Sequence, residues 1–189
     1  MLHLVRNMRW ATAVDLSMGY YHMKLNKESR DACTIILPWE KYCYNALLMG
    51  FCGSTDIFQD ALGNLFADLV HVLVYLDDII IIGSGSYEEH LTQVEEVLAR
   101  LKEKGFQVNP LKSFWAKSEG EYLGFVITRK GICPQKKKIQ GILSMKEPTS
   151  TKQLRSFVGM INFYKEMWRS RAEILKPLTE KTGKGTKFK

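Results

Sequence analysis

Cysteine is scarce in this chain and falls into no pattern. Cys33, Cys43, Cys52 and Cys133 form no CxxC pair, and the four histidines do not cluster with them. This argues against a zinc site or a disulfide framework and fits a reducing intracellular compartment. Long apolar runs are missing too: the most apolar segment, residues 72–82, is well short of the roughly 20 residues a membrane span needs. Residues 1–6 lack the apolar core of a signal peptide. There is no internal repeat, low-complexity tract or flexible linker, which leaves one domain, or one domain with a small appendage.

The composition, 46% hydrophobic and 25% charged, is that of a globular chain. Charge is unevenly spread. Residues 1–100 carry 7 Lys/Arg against 13 Asp/Glu, and residues 101–189 carry 20 against 7. The basic half interleaves its cations with Trp, Phe and Tyr, which suggests a polyanion partner such as a nucleic acid.

Two adjacent acids, Asp77 and Asp78, interrupt the run Val72 to Ile82. An unpaired carboxylate removed from water costs several kcal/mol or more. The segment therefore reads as two strands, Val72–Tyr75 and Ile79–Ile82, joined by a tight turn that holds both acids at the rim of a sheet. Asp is also an ordinary turn residue, so the pair alone leaves a plain hairpin cap open. Asp15 ends the apolar stretch Ala11–Leu16 and is the candidate third acid, with a simple cap as its alternative. Three carboxylates converging at a sheet edge would suit a two-metal centre for phosphoryl transfer.

The remaining pattern predicts a hairpin over 32–37 and 42–48, an amphipathic helix over 55–70 and a strand over 106–109. A second helix starts at the Ser86/Glu89 capping box and stops at Gly105. A strand over 121–128 follows, with helices over 135–145 and 151–168, the latter started by Ser150 and Gln153. The fold class expected is α+β: an antiparallel sheet with helices packed on one face, and a small helical subdomain at the C-terminal end.

These residues carry a resemblance. Asp15-Leu16-Ser17-Met18-Gly19-Tyr20-Tyr21-His22 resembles motif A of reverse transcriptases. Leu47 to Phe51 through Phe58-Gln59 resembles motif B, and Tyr75-Leu76-Asp77-Asp78 resembles motif C. Leu101 through Lys112-Ser113-Phe114 is similar to motif D, and Glu121 to Phe125 to the primer grip. The tail from Lys146 to Thr179 is similar to the thumb and connecting segment of gypsy-class LTR retrotransposon polyproteins.

The resemblance implies an RNA-directed DNA polymerase palm with partial fingers over 1–133 and a thumb or connecting segment over 134–189. Asp15, Asp77 and Asp78 would hold two Mg²⁺ ions, with Mn²⁺ as a substitute, and Lys112 would protonate the leaving pyrophosphate. Tyr20 would be the steric gate, while Met49, Gly50 and Gln59 would lie at the nucleotide. Tyr75, Tyr122, Leu123, Gly124, Lys152 and Arg155 would meet primer and template. Expected partners are an RNA or DNA template–primer and dNTP, with no membrane. By the same resemblance the chain begins just before motif A, so the rest of the fingers and the protease, RNase H and integrase portions of a parent polyprotein are expected outside it. The cell compartment implied is a cytoplasmic virus-like particle or the nucleus.

Three positions depart from the family pattern. Leu48 and Thr55 stand where proline is usual, which loosens the approach to the motif B helix, and Glu40 stands where glycine is usual. Three other readings remain open at this point: an inactive relic that only binds nucleic acid, an acidic-triad nuclease, and a protein–protein module.

Overall fold

Strand β1 (Trp10–Ser17) alternates side chains between two faces, and both faces are covered. It lies between β5 (Asp78–Gly83) and β6 (Gln107–Lys117) in an antiparallel sheet of order β4-β5-β1-β6, with β4 spanning Val72–Tyr75. These assignments come from a computed structural model that describes Val5 and residues 7–183.

The unbroken Ile79-Ile80-Ile81-Ile82 run of β5 has its explanation in that coverage. Ile79 and Ile81, with Val14 and Leu16, face helices α2 (Ser54–Leu65) and α3 (Tyr87–Glu103) through Phe58, Leu62, Val94, Val97 and Leu101. Ile80 and Ile82, with Ala11, face Tyr122 and Ile127. Those last two belong to strands β7 (Glu119–Tyr122) and β8 (Phe125–Thr128) of a separate sheet that continues to β9 (Gly131–Pro134). Helices thus pack on one face of the main sheet and a small sheet on the other. Gly120 permits this layering, because a Cβ there would lie 2.2 Å from the Phe114 ring.

The structure refines the sequence expectations. Helix α1 (Lys27–Ala32) buries no residue, so it presents no apolar stripe for a pattern to find. The first hairpin is shorter than expected, β2 (Thr34–Ile36) with β3 (Lys41–Cys43). Its turn closes through Leu37 N–H to Glu40 O (2.9 Å), and Glu40 avoids the left-handed region. Helix α2 stops at Leu65 rather than 70, and it begins at Ser54 although Thr55 replaces a proline. The single strand expected over 121–128 is two strands, with Leu123 (φ 47°) and Gly124 (φ 83°) forming the turn between them.

Two compact units emerge, one up to Ile132 and one from Cys133. The second holds α4 (Lys136–Leu143), α5 (Thr151–Asn162) and α6 (Arg171–Glu180). Leu154, Ile161, Tyr164 and Leu175 are its buried residues. Helix α5 ends six residues before the expected 168, giving way to a short 3-10 turn at Lys165–Met167. No helix among the described residues is long and apolar enough to cross a membrane.

Candidate active site

The β4–β5 hairpin turns through Leu76 and Asp77, with Tyr75 paired to Asp78. Leu76 holds φ 54°, a left-handed conformation unusual for a bulky residue. Gln59 of α2 secures it: its Oε1 accepts the Leu76 N–H at 2.7 Å and its Nε2 donates to Val74 O at 3.3 Å. The motif placed Gln59 at the nucleotide, yet both ends of its amide bind the hairpin backbone. Its contribution in this structure is to hold the acidic turn.

Asp15 stands directly opposite Asp78 across the β1–β5 ladder. Directly opposed residues share a face, with Cβ atoms about 4.5–5.5 Å apart. Burial pushes the Asp77 carboxyl above its ordinary value of 3.8, and repulsion from Asp15 and then Asp78 adds to this. Burial, followed by repulsion from Asp15, raises Asp78 as well. The three acids therefore form one electrostatically coupled cluster. Lys112 Nζ lies 4.0 Å from Asp15 Oδ1. At 69% side-chain exposure for the lysine, that pair adds little stability.

Asp77 Oδ1 is buried and has no hydrogen-bond partner. It faces Gly19, where a Cβ would come within 2.9 Å of that oxygen and 2.7 Å of Phe58 Cζ. Tyr20, the next residue, is 7% exposed and stacks on Phe58 with ring centroids 4.3 Å apart. Beside Asp78, the Tyr122 hydroxyl donates to its backbone carbonyl at 3.2 Å. Burial, then the Asp78 charge, drives the Tyr122 phenol well above its ordinary range.

Three carboxylates offer the hard oxygen donors that Mg²⁺ takes, and an orphaned buried oxygen with neighbours in mutual repulsion is what a cation would relieve. Among the described residues no three His, Cys, Asp or Glu side chains close around a common point. Mg²⁺ sites of this kind need no protein cage, since the ion keeps several waters and completes its shell with substrate phosphates. The residues present fit the ion on that basis.

Tyr75 is 55% and Met49 60% exposed, and Gly50 (φ 84°) sits with Met49 on the loop before α2. Leu123 and Gly124 make the turn that follows Tyr122. Lys152 and Arg155 belong to the second unit, where Arg155 Nε and Nη2 donate to Thr182 O at 3.0 and 2.6 Å. Arg155 thus ties α5 to the end of α6. Three residues inside the motifs that were given no role of their own also shape the site: Phe58 as the platform under Tyr20, and Asn109 and Ser113, which brace the strand carrying Lys112. Asn109, standing before Pro110, carried the one sequence signal, a side chain suited to bonding its own backbone two residues on.

The family model described as "Reverse transcriptase (RNA-dependent DNA polymerase)" matches residues 1–127. The chain belongs to the reverse transcriptase family. It is 32% identical over 182 residues to the retrovirus-related Pol polyprotein from transposon 297 of Drosophila melanogaster, covering 95% of this chain and 17% of that protein. To the Pol polyprotein from transposon gypsy of the same organism it is 28% identical over 174 residues, 91% of this chain and 17% of that protein. The foamy viral protease-reverse transcriptase in complex with an RNA/DNA hybrid superposes with a TM-score of 0.83 at 27% identity. All of this chain and 26% of that one are covered. The chain therefore spans about a sixth of the length of the curated relatives it matches.

Proposed function

We propose that this chain carries the nucleotidyl-transfer centre of an RNA-directed DNA polymerase, joining dNTP to a primer 3′-hydroxyl on an RNA or DNA template. The observation that carries this reading is the pairing of Asp15 with Asp78 across β1 and β5, with Asp77 in the adjoining turn. Asp15, Asp77 and Asp78 would hold the divalent cations, Mg²⁺ or Mn²⁺. When bound, two such ions lower the cost of a primer alkoxide and offset charge on the leaving pyrophosphate.

The chain's own residues supply the rest. Lys112, with its ammonium beside Asp15, is placed to give a proton to the leaving group or to clamp it electrostatically. Tyr20, rigid on Phe58, presents a flat wall where a sugar 2′-hydroxyl would clash, so it selects deoxynucleotides. Met49 and Gly50 border the nucleotide from the loop before α2. Tyr122 braces the Asp78 backbone, and its turn at Leu123 and Gly124, together with Tyr75, seats the primer end. In the second unit, read as a thumb or connecting segment, Lys152 lies on the template–primer backbone. Arg155 supports that surface through its bonds to Thr182.

The foamy viral relative was captured with an RNA/DNA hybrid, which supports this substrate class for the present chain. The relatives are polyproteins, which supports a polyprotein parent; RNase H and integrase portions in that parent are part of the proposal. Four free cysteines fit work inside the cell, in a cytoplasmic particle or the nucleus.

A second reading, nucleic-acid binding without synthesis, is favoured by one observation: Leu48 and Thr55 stand where the motif B pattern carries proline, which loosens the approach to the nucleotide loop. Incorporation of dNTP on a primed RNA template in Mg²⁺, with Asp77→Asn as the control, separates the two. Signal in the wild type alone supports synthesis. Equal signal in both proteins removes it, and binding with no incorporation supports the second reading.

A further inference from the structure

Lys112 reaches Asp15 because β6 is not a regular strand. Asp15 pairs with Asn109 and Ala13 with Phe114, so residues 110–113 of β6 stand opposite the single residue Val14. Such a bulge re-aims side chains. This one has little apolar support: Leu111 at its tip is 98% exposed. Polar bonds hold it instead. Asn109 Oδ1 accepts from the N–H groups of Leu111 and Lys112 at 3.2 and 3.4 Å. Ser113 Oγ donates to Asn109 O at 2.6 Å and accepts the Asp15 N–H at 3.1 Å. One hydroxyl therefore closes the bulge at its base and fastens it to the backbone of the first acid. Pro110, which has no N–H, needs no acceptor of its own within the bulge.

We propose that Ser113 is a positioning residue for nucleotidyl transfer, acting through Lys112: its hydroxyl clasps the 109–113 bulge to Asp15 and so holds the Lys112 ammonium over the acidic cluster. The inference rests on the polymerase reading above. Without the hydroxyl the bulge keeps its flanking ladder pairs to β1 but loses the bond from Ser113 to Asp15, and Lys112 gains freedom to swing. Because the lysine is offered to the leaving group, the loss falls on turnover and not on nucleotide binding.

The test uses the full chain as wild type, Ser113→Ala, Ser113→Thr, Lys112→Met and the Ser113→Ala/Lys112→Met double variant, in primer extension with varied dNTP. Ser113→Ala is expected to lower kcat about tenfold with KM within about twofold, and Ser113→Thr to stay within about threefold of wild type. In the Lys112→Met background, adding Ser113→Ala is expected to change kcat by less than about twofold, since both act on one step. A full additional loss in that background, or wild-type kinetics for Ser113→Ala, overturns the proposal. Amide hydrogen exchange provides a reading that needs no turnover. Faster exchange at the Asp15 amide in Ser113→Ala but not in Ser113→Thr supports the clasp, and unchanged exchange overturns it. Absence of incorporation by wild type counts against the polymerase reading, while the exchange result still judges the clasp.

Discussion

The side-chain amide of Gln59 and the backbone N–H of Leu76 are joined at 2.7 Å, linking helix α2 to the tip of the acidic hairpin. Leu76 stays at φ 54° only because its surroundings hold it there. Replacing Gln59 by Leu keeps the volume and removes the acceptor, leaving a part-buried N–H unpaired. The expected cost is about 1–3 kcal/mol of stability, read by urea unfolding. Primer extension is expected to fall at least about tenfold, because a misplacement near 1 Å is enough for such a loss. Wild-type unfolding and extension would show that the turn needs no clamp.

Gly19 keeps space for two groups at once. A methyl there would meet Phe58 Cζ at 2.7 Å and Asp77 Oδ1 at 2.9 Å. Phe58 is fully buried and stacked under Tyr20, so it has little freedom to retreat. Gly19→Ala should lower stability by about 1–3 kcal/mol through overpacking. It should also weaken discrimination against ribonucleotides, measured by the ratio of dNTP to rNTP incorporation. Unchanged discrimination in a destabilised protein would separate the packing from the gate.

The acidic cluster opposes folding while no cation is bound. Asp77 and Asp78 hold their protons more tightly in the folded protein than the ordinary 3.8, so the native state binds more protons than the unfolded chain. Stability therefore falls as pH rises above that value. Asp77→Asn removes one charge of the cluster and should raise Tm at neutral pH by about 2–4 °C in chelator, the response of a chain this size to roughly 1 kcal/mol. Mg²⁺ should raise Tm in the wild type and less in the variant. A lower Tm for Asp77→Asn in chelator would mean that the carboxylate is a structural asset.

His90 acts in the opposite direction. It is 1% exposed, its Nε2 lies 2.9 Å from Thr12 Oγ1, and that hydroxyl also accepts the Ala116 N–H at 3.0 Å. Burial holds its pKa below the ordinary 6.5, against a smaller opposing effect of a Gln93 hydrogen bond and with the nearby His71 adding to the lowering. The unfolded chain thus takes up a proton that the folded one resists. Stability tied to His90 is complete above pH 6.5 and is lost as pH falls below it. A Tm series from pH 7.5 to 5 should slope downward on acidification, and His90→Gln should flatten it. Parallel curves would assign the slope to other groups.

The hairpin could be read in the sequence because two charges interrupted an apolar run, a conflict that only a rim position resolves. Helix α3 was bounded by its own chemistry, Ser86 capping the start and Gly105 following its end. Other features left no such mark. Helix α1 has no buried face, and α6 contains Pro177, which reads as a break. The turn at Leu123 was hidden because leucine rarely takes a left-handed conformation. At the site, the residue types of Asp15, Asp77 and Asp78 announced themselves. The bonds from Gln59 to Leu76 and from Ser113 to Asp15 span 17 and 98 residues, and no local pattern encodes contacts of that kind.

Whether the three carboxylates share divalent cations is tested most directly by Mn²⁺ titration followed by electron paramagnetic resonance, with primed template and dNTP present. The wild-type chain should take up two ions, and Asp15→Asn and Asp78→Asn should each lose at least one or bind about 10–100-fold more weakly. Identical Mn²⁺ uptake by wild type and both variants would contradict a shared metal centre at the β1–β5 edge.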